Sequence, residues 1–381
     1  MTALAGIAAP APQWVEVLES REDFADAADE IEDFSRRYGA PVTARTAWTM
    51  AALDAVASAD PLAVLVRDQH GLLRAAAVLL VMTGPGTDMV VSPGGLDHRA
   101  AVPAADGWAA AALGEALAHA LVRRPRPTLV RLGPLPLNSL ALAGVASALR
   151  GAATIAVNPI PVVRQSASRL VEDYVEHGIR RGLRRGRNRL STDGRTAVVS
   201  FTSDRAEVLQ LTSWMERASR DRDHVHGRTS PLDDPTGRAL WKGRLQRLAT
   251  AGDLELATLR LDGQLAAYVL GVLDGNAYRV LEGRFVSEFA RYSPGRLLET
   301  AVLQRVLDDA RLDTLDWMTS VAPDTLVAAN DSDAVVVVQA EVHGGAQQVA
   351  RHGAHHGTHR GRRRHPTASA RRPALTAVHS R

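Results

Sequence analysis

The sequence predicts an α/β (α+β) fold built as two similar units, each a mostly antiparallel sheet flanked by helices. Three observations carry this. Apolar runs of strand length come in groups of three, separated by turns rich in Gly, Asp and Asn. Each group is followed by a loop, a long helical pattern and one further strand. The whole order occurs twice, over residues 61–132 and again over 253–318. The chain has 381 residues, 46% of them hydrophobic, enough for two domains of roughly 150 residues each.

Helical patterns at 22–38 and 46–58 come before the first group. "PLAVLVR" (61–67) reads as a strand, "DQHG" as a turn, "LLRAAAVLLVM" (72–82) as the returning strand and "DMVVS" (88–92) as a third. A loop with Pro93, Gly94 and Gly95 leads to an Ala-rich helix over 104–123, and "TLVRL" (128–132) closes the unit. The join between units is placed at "NPIPVVRQ" (158–165), where two prolines interrupt any helix. Helices at 168–191, 204–221 and 236–250 follow. "DLELATLRL" (253–261) and "QLAAYVLGVL" (264–273) flank Asp262-Gly263, a pair that accepts the positive φ of a two-residue hairpin turn. "AYRVLEGRF" (277–285) is the third strand, a helix spans 295–310, and "LDTLDWM" (312–318) and "AVVVVQA" (334–340) are the last strands. Domains are expected at 1–160 and 161–345. Residues 346–381, rich in Arg and His and without apolar periodicity, are expected to form a disordered basic tail.

That tail sets the charge of the whole chain. The net charge is +3, but 346–381 holds eight Arg and no acid, so residues 1–345 carry −5. With no Cys, disulfides, thiolate metal sites and a Cys nucleophile are excluded. No apolar run reaches the roughly 18–20 residues of a membrane helix, and "MTALAGIAAPAPQW" lacks the basic start of a secretory signal. A cytoplasmic protein is expected.

Several stretches could carry chemistry. In "RYSPGRLLETAVLQRVL" (291–307), Ser293 can cap the helix and Gly295 lets a backbone approach closely, so the turn suits a phosphate; the same residues also make an ordinary helix start. Leu298, Val302 and Val306 form its buried stripe, with Glu299, Arg305, Asp308 and Asp309 read as outward. Along 277–285, period-two alternation places Tyr278, Val280, Glu282 and Arg284 on one face, making Tyr278 and Glu282 an acid–base pair or, equally, a packed Tyr and a Glu paired with Arg. Tyr292 is a second acid. His224 and His226 share a side if "RDRDHVHGRTSPLDD" (220–234) is extended; a metal is not expected, because no third ligand is in view. Arg184 and Arg185 lie in "RRGLRRGRNR" (180–189), where guanidinium forks could hold an oxyanion or simply face solvent. Without interleaved aromatics, specific nucleic-acid recognition is not indicated.

The order of elements over 253–340 resembles the GNAT acyltransferase fold, and the doubled arrangement is similar to FemABX-type proteins. "GIRRGLRRGRNRL" (178–190), "LELATLRLDGQLAAYVLGVLDGNAYRVLEGRF" (254–285) and "YSPGRLLETAVLQ" (292–304) resemble the CelD/BcsL-like family of bacterial acetyltransferases. The resemblance implies tandem GNAT-like units and an N-acyltransferase using acetyl-CoA or another acyl-CoA as co-substrate, without a metal. The acceptor it implies is an amine, as a small molecule or an envelope precursor. It places Phe285, Arg291, Ser293, Pro294, Gly295 and Arg296 at the coenzyme and the segment with His224 and His226 at the acceptor; Arg184 and Arg185 are read, from their guanidinium chemistry, as further substrate-binding residues. The GNAT coenzyme loop is kept only as Arg291 and Gly295 at shifted spacing. A tRNA-dependent aminoacyltransferase, or a binding protein that kept the fold without the chemistry, is the alternative.

Overall fold

The computed structural model describes residues 14–96, 98–149, 151–318 and 326–343. The expected tail at 346–381 lies outside them. The first half of the chain contains β1 (Trp14–Leu18), α1 (Arg21–Asp26), α2 (Ala28–Arg37), α3 (Thr46–Ala55), β2 (Ala59–Arg67), β3 (Leu73–Met82) and β4 (Asp88–Val91). It continues with α4 (Gly107–Val122), β5 (Thr128–Pro136), α5 (Leu140–Ala148), β6 (Ala153–Ala156) and β7 (Ile160–Arg164). The second half contains α6 (His177–Thr192), β8 (Ala197–Thr202), α7 (Arg205–Gln210), α8 (Thr212–Val225), α9 (Pro235–Ala251), β9 (Leu254–Leu261) and β10 (Gln264–Asp274). It ends with β11 (Ala277–Phe285), α10 (Pro294–Asp308), β12 (Thr314–Asp316), β13 (Asp331–Asp333) and β14 (Val335–Val342).

Among the described residues the strands form two seven-stranded sheets, ordered β1-β2-β3-β4-β5-β14-β6 and β13-β7-β12-β11-β10-β9-β8. Both contain the repeat read from the sequence: three antiparallel strands, a helix, then a strand parallel to the third, β5 beside β4 and β12 beside β11. Asp262 and Gly263 turn the β9–β10 hairpin at φ 50° and 80°, as their residue types require. Each sheet is covered on both faces. α4 and α5 bury Leu113, Leu117 and Val145 on one side of the first sheet, and α1–α3 bury Phe24, Ile31 and Leu53 on the other. α6 and α10 cover one face of the second sheet through Leu183, Leu298 and Val302, and α8 and α9 the opposite face through Met215 and Leu248.

The units exchange strands. The sequence reading makes "NPIPVVRQ" a join; instead β7 pairs with both β12 and β13 inside the second sheet. Pro161 is tolerated there because its carbonyl accepts the Trp317 N–H at 3.4 Å, and Pro offers no donor of its own. β14 returns to the first sheet between β5 and β6, with Val338 opposite Leu132 on one side and Thr154 on the other. Its unbroken valine run suits a strand buried on both faces. Ion pairs bind the halves further. Arg45 meets Asp274; Arg279 lies 2.7 Å from Asp274 and 2.5 Å from Asp316; Arg99 lies 2.6 Å from Asp316 and 2.7 Å from Asp333.

Some boundaries differ from the sequence reading. The helix expected over 22–38 breaks at Ala27, and that over 204–221 divides at Leu211. The helix expected from 168 starts at His177. β1, β6, β8, β13 and α5 are additions to the expected elements.

Candidate active site

β12 pairs with β11 only over three residues, Ala277–Arg279 opposite Thr314–Asp316. Beyond Arg279, among the described residues, β11 continues beside β10 alone, so the two parallel strands part. The chain then makes a 3-10 turn over Ser287–Tyr292 and enters α10 through Ser293, which stands in the left-handed region at φ 55°. Pro294 occupies the first helical position, where its missing N–H costs nothing. The expected cap is not formed: the Ser293 side chain makes no cap hydrogen bond.

The structure brings part of the expected coenzyme set together. The Phe285 ring lies 3.1 Å from where a Gly295 β-carbon would stand. The Arg222 guanidinium sits 4.6 Å over the same ring. Burial lowers the Arg222 pKa, and the nearby positive charges of Arg284 and Arg228 lower it further. An aromatic ring, the Arg222 guanidinium and the N-terminal turn of α10 thus meet at the end of β11. Arg296 reaches toward α6 at Gly182. Arg291 points elsewhere: it binds Asp193 at 2.5 Å and stacks on Tyr292 at 4.6 Å. Tyr292 is buried, and its hydroxyl donates to Asp193 at 2.7 Å.

Tyr278 and Glu282 do not share a face. A β-bulge sets Leu270 opposite Glu282 but Gly271 opposite Val280, so Leu281 is an extra residue and the alternation reverses. Tyr278 faces the α6–α10 core and lies across Gly271, where a β-carbon would be 2.1 Å from the phenol oxygen. Burial raises its pKa well above the ordinary value, and the Glu255 carboxylate adds to that. Glu282 faces the α8–α9 side. One carboxylate oxygen accepts the Tyr268 hydroxyl at 2.5 Å and the other the Trp241 indole N–H at 2.8 Å, with Arg284 at 3.8 Å.

His224 and His226 do not form a pair, because α8 runs on to Val225 rather than extending. His224 Nε2 is 2.7 Å from Asp233 Oδ2, and Arg220 donates to the other oxygen at 2.7 Å. The His224 contact leads in drawing the Asp233 pKa down to about 2. His226 Nδ1 lies 2.9 Å from the Arg222 carbonyl. Among the described residues no group of three or more His, Asp or Glu could hold a metal. α8 also reaches the parting of the strands, since Asp221 accepts the Ser287 N–H at 3.0 Å. On α6, Arg184 and Arg185 are both exposed; Arg184 lines a cavity beside α10 and Arg185 lies outside it.

Glu299 corrects the sequence reading. It is not outward: one carboxylate oxygen is buried without a hydrogen-bond partner among the described residues. Burial pushes its pKa up to about 7 against the opposing pull of Arg296 and a hydrogen bond from the Val327 backbone. The signal is in the spacing: Glu299 stands four residues from both Gly295 and Leu303, on the edge of the buried stripe.

Residues 177–325 match the model of the Acetyltransferase (GNAT) domain. That match falls within the second unit, from α6 to beyond β12. The fold of the chain as a whole is similar to three solved structures. FemX is 12% identical with a TM-score of 0.59, over 88% of this chain and 99% of that one. A conserved protein of unknown function from Bacteroides thetaiotaomicron is 9% identical with a TM-score of 0.55, over 86% and 100%. A C-terminal DUF2156 domain from Agrobacterium fabrum is 13% identical with a TM-score of 0.50, over 87% and 96%. No curated protein matches the sequence. The likeness to these structures covers both units, so the tandem GNAT-like fold extends beyond the matched residues to the first unit. Among the described residues, no helix is long and apolar enough to cross a membrane.

Proposed function

We propose that the second unit is an N-acyltransferase that moves an acyl group, acetyl in the simplest case, from acyl-coenzyme A to an amine. The observation that supports this most is the parting of β11 and β12 one short turn before α10. The open edge of β11 offers backbone donors to a thioester carbonyl, and the first turn of α10 offers its own amides and dipole to the coenzyme phosphates. Phe285, Arg222 and Arg296 flank that route, and we place the coenzyme against them and the Ser293–Gly295 turn. Arg291, held by Asp193, supports the turn from behind.

Transfer to an amine requires removal of a proton from the attacking nitrogen. Glu282 and the His224–Asp233 pair are the two proton carriers we assign on the α8 side. Asp233 holds the imidazole through Nε2, leaving Nδ1 for the acceptor. The CelD/BcsL-like resemblance further suggests an amine of envelope or polysaccharide metabolism, handled in the cytoplasm.

The test exploits the absence of Cys: a thiol reagent added to the full chain reports only released coenzyme A. Acetyl-CoA with a panel of amino sugars and amine-bearing envelope precursors should release coenzyme A in an amine-dependent way. Transfer that requires aminoacyl-tRNA, or no transfer despite coenzyme binding, would replace this reading with one of the two alternatives.

A further inference from the structure

A cavity of about 710 Å³ lies between α6, the 3-10 turn at residues 171–173 and Thr300 on α10. Four guanidinium groups line it, from Arg180, Arg181, Arg184 and Arg187. Their spacing along α6 places them on neighbouring turns of the helix, beside the buried stripe of Ile179, Leu183, Gly186 and Leu190.

These arginines differ from many of the others among the described residues. Arg45, Arg67, Arg99, Arg279 and Arg305 each hold a carboxylate. Around the cavity, Arg180 donates only to the Glu172 backbone carbonyl at 3.1 Å, and Arg181 contacts only the His177 ring at 3.3 Å. Arg184 and Arg187 make no hydrogen bond or ion pair among the described residues. The one carboxylate of the lining, Glu172, faces four positive charges. The four side chains are exposed, and their like charges repel one another across the concavity. The arrangement is favourable once an anion of multiple charge sits among them.

We propose that this cavity binds a diphosphate or similarly clustered phosphoryl group, carried by a small molecule or a lipid headgroup. Guanidinium forks bind phosphoryl oxygens bidentately, so several forks suit a ligand with several such oxygens. Asn188 adds a neutral donor for an ester oxygen. Leu183, Val171 and Val175 form an apolar floor. The concave shape favours a compact ligand over an extended nucleic-acid backbone, and among the described residues no Phe, Tyr or Trp lines it for base stacking. The inference is independent of the acyl donor, because the cavity does not include the Ser293–Gly295 turn.

Calorimetry on the full chain with inorganic pyrophosphate tests it, alongside flotation with phosphatidylcholine vesicles that do or do not contain phosphatidic acid. Arg184→Gln with Arg187→Gln should weaken the binding by about tenfold to a hundredfold, the worth of one or two charged hydrogen bonds. Arg185→Gln, which removes a charge outside the cavity, should change it little. Cavity-dependent binding of pyrophosphate identifies a soluble source, and cavity-dependent binding of acidic vesicles a lipid source. The proposal is overturned if the double variant and Arg185→Gln weaken binding equally. It is also overturned if neither probe binds, or if a short RNA binds through Arg184 and pyrophosphate does not displace it. Coenzyme A affinity should not change in the double variant; if it falls in parallel, the cavity is part of the coenzyme site instead.

Discussion

The Phe285 ring stands 3.1 Å from the position of a Gly295 β-carbon, so the end of β11 closes directly onto the first turn of α10. A side chain at 295 must push the ring, or the ring must give way. Gly295→Val is expected to lower stability by about 1–3 kcal/mol through overpacking, and Gly295→Ala by less. Phe285→Leu should be less harmful in the Gly295→Val background than in the wild type. Urea denaturation of the four proteins measures that coupling, and strict additivity would show that the two residues do not press on each other.

Glu282 and His224 are the two bases proposed for the same step, and variants separate them. Glu282→Gln keeps the carboxamide within reach of Tyr268 and Trp241 but removes the proton acceptor. A fall in turnover of about 10²–10⁴-fold, with coenzyme binding little changed, is expected if Glu282 is the base. If turnover stays within about threefold, His224→Gln should show that loss instead, and Asp233→Asn a smaller one because it only orients the ring.

Arg99 crosses from the first half of the chain to Asp316 at 2.6 Å and Asp333 at 2.7 Å, and its side chain is only 6% exposed. Arg99→Ala leaves a buried carboxylate short of a partner. A loss of about 3–5 kcal/mol in urea denaturation is expected, and Arg99→Lys should not restore it, because one ammonium cannot replace a fork between two acids. A loss below about 1 kcal/mol would mean that the pairs hold little of the join.

Much of the fold is legible because the repeat is written in strand-length apolar runs and in turns such as Asp262-Gly263. What stays hidden has physical causes. β14 is visible as a strand, but its partners are not: a valine run fits any doubly buried slot, and nothing local says that it crosses to the first sheet. "NPIPVVRQ", with Pro159 and Pro161, does not read as strand by a rule that treats Pro as punctuation, because the tolerance of Pro161 depends on its neighbours β12 and β13. The bulge at Leu281 has no Gly or Pro beside it to announce it, and one extra residue is enough to send Tyr278 and Glu282 to opposite faces. Of the site, the turn before α10 and the Phe285 contact follow from chain order. The supporting roles of Arg291 and Tyr292 do not, because Asp193, which holds both, is remote in sequence.

Glu299 gives the protein a pH dependence whose sign follows from its environment. Its pKa rises from the ordinary 4.5 to about 7 because burial disfavours the charged carboxylate. The folded state therefore holds a proton that the unfolded state has already released. That contribution is fully present below 4.5, declines as pH rises between the two values, and is lost above about 7. The wild-type Tm should fall across this window, by an amount reflecting up to a few kcal/mol. Glu299→Gln should flatten the profile and raise the Tm on its alkaline side. An equally steep profile in Glu299→Gln would assign the dependence to other groups.

We place acyl-coenzyme A between the parted strands β11 and β12 and the first turn of α10. Calorimetric titration of the full chain with coenzyme A and acetyl-CoA, on wild type and Gly295→Val, tests that placement most directly. Saturable one-to-one binding to the wild type, weakened roughly tenfold or more by Gly295→Val while the folded fraction is unchanged, is the result predicted. Absence of binding to the wild type, or equal affinity in the two proteins, would contradict it.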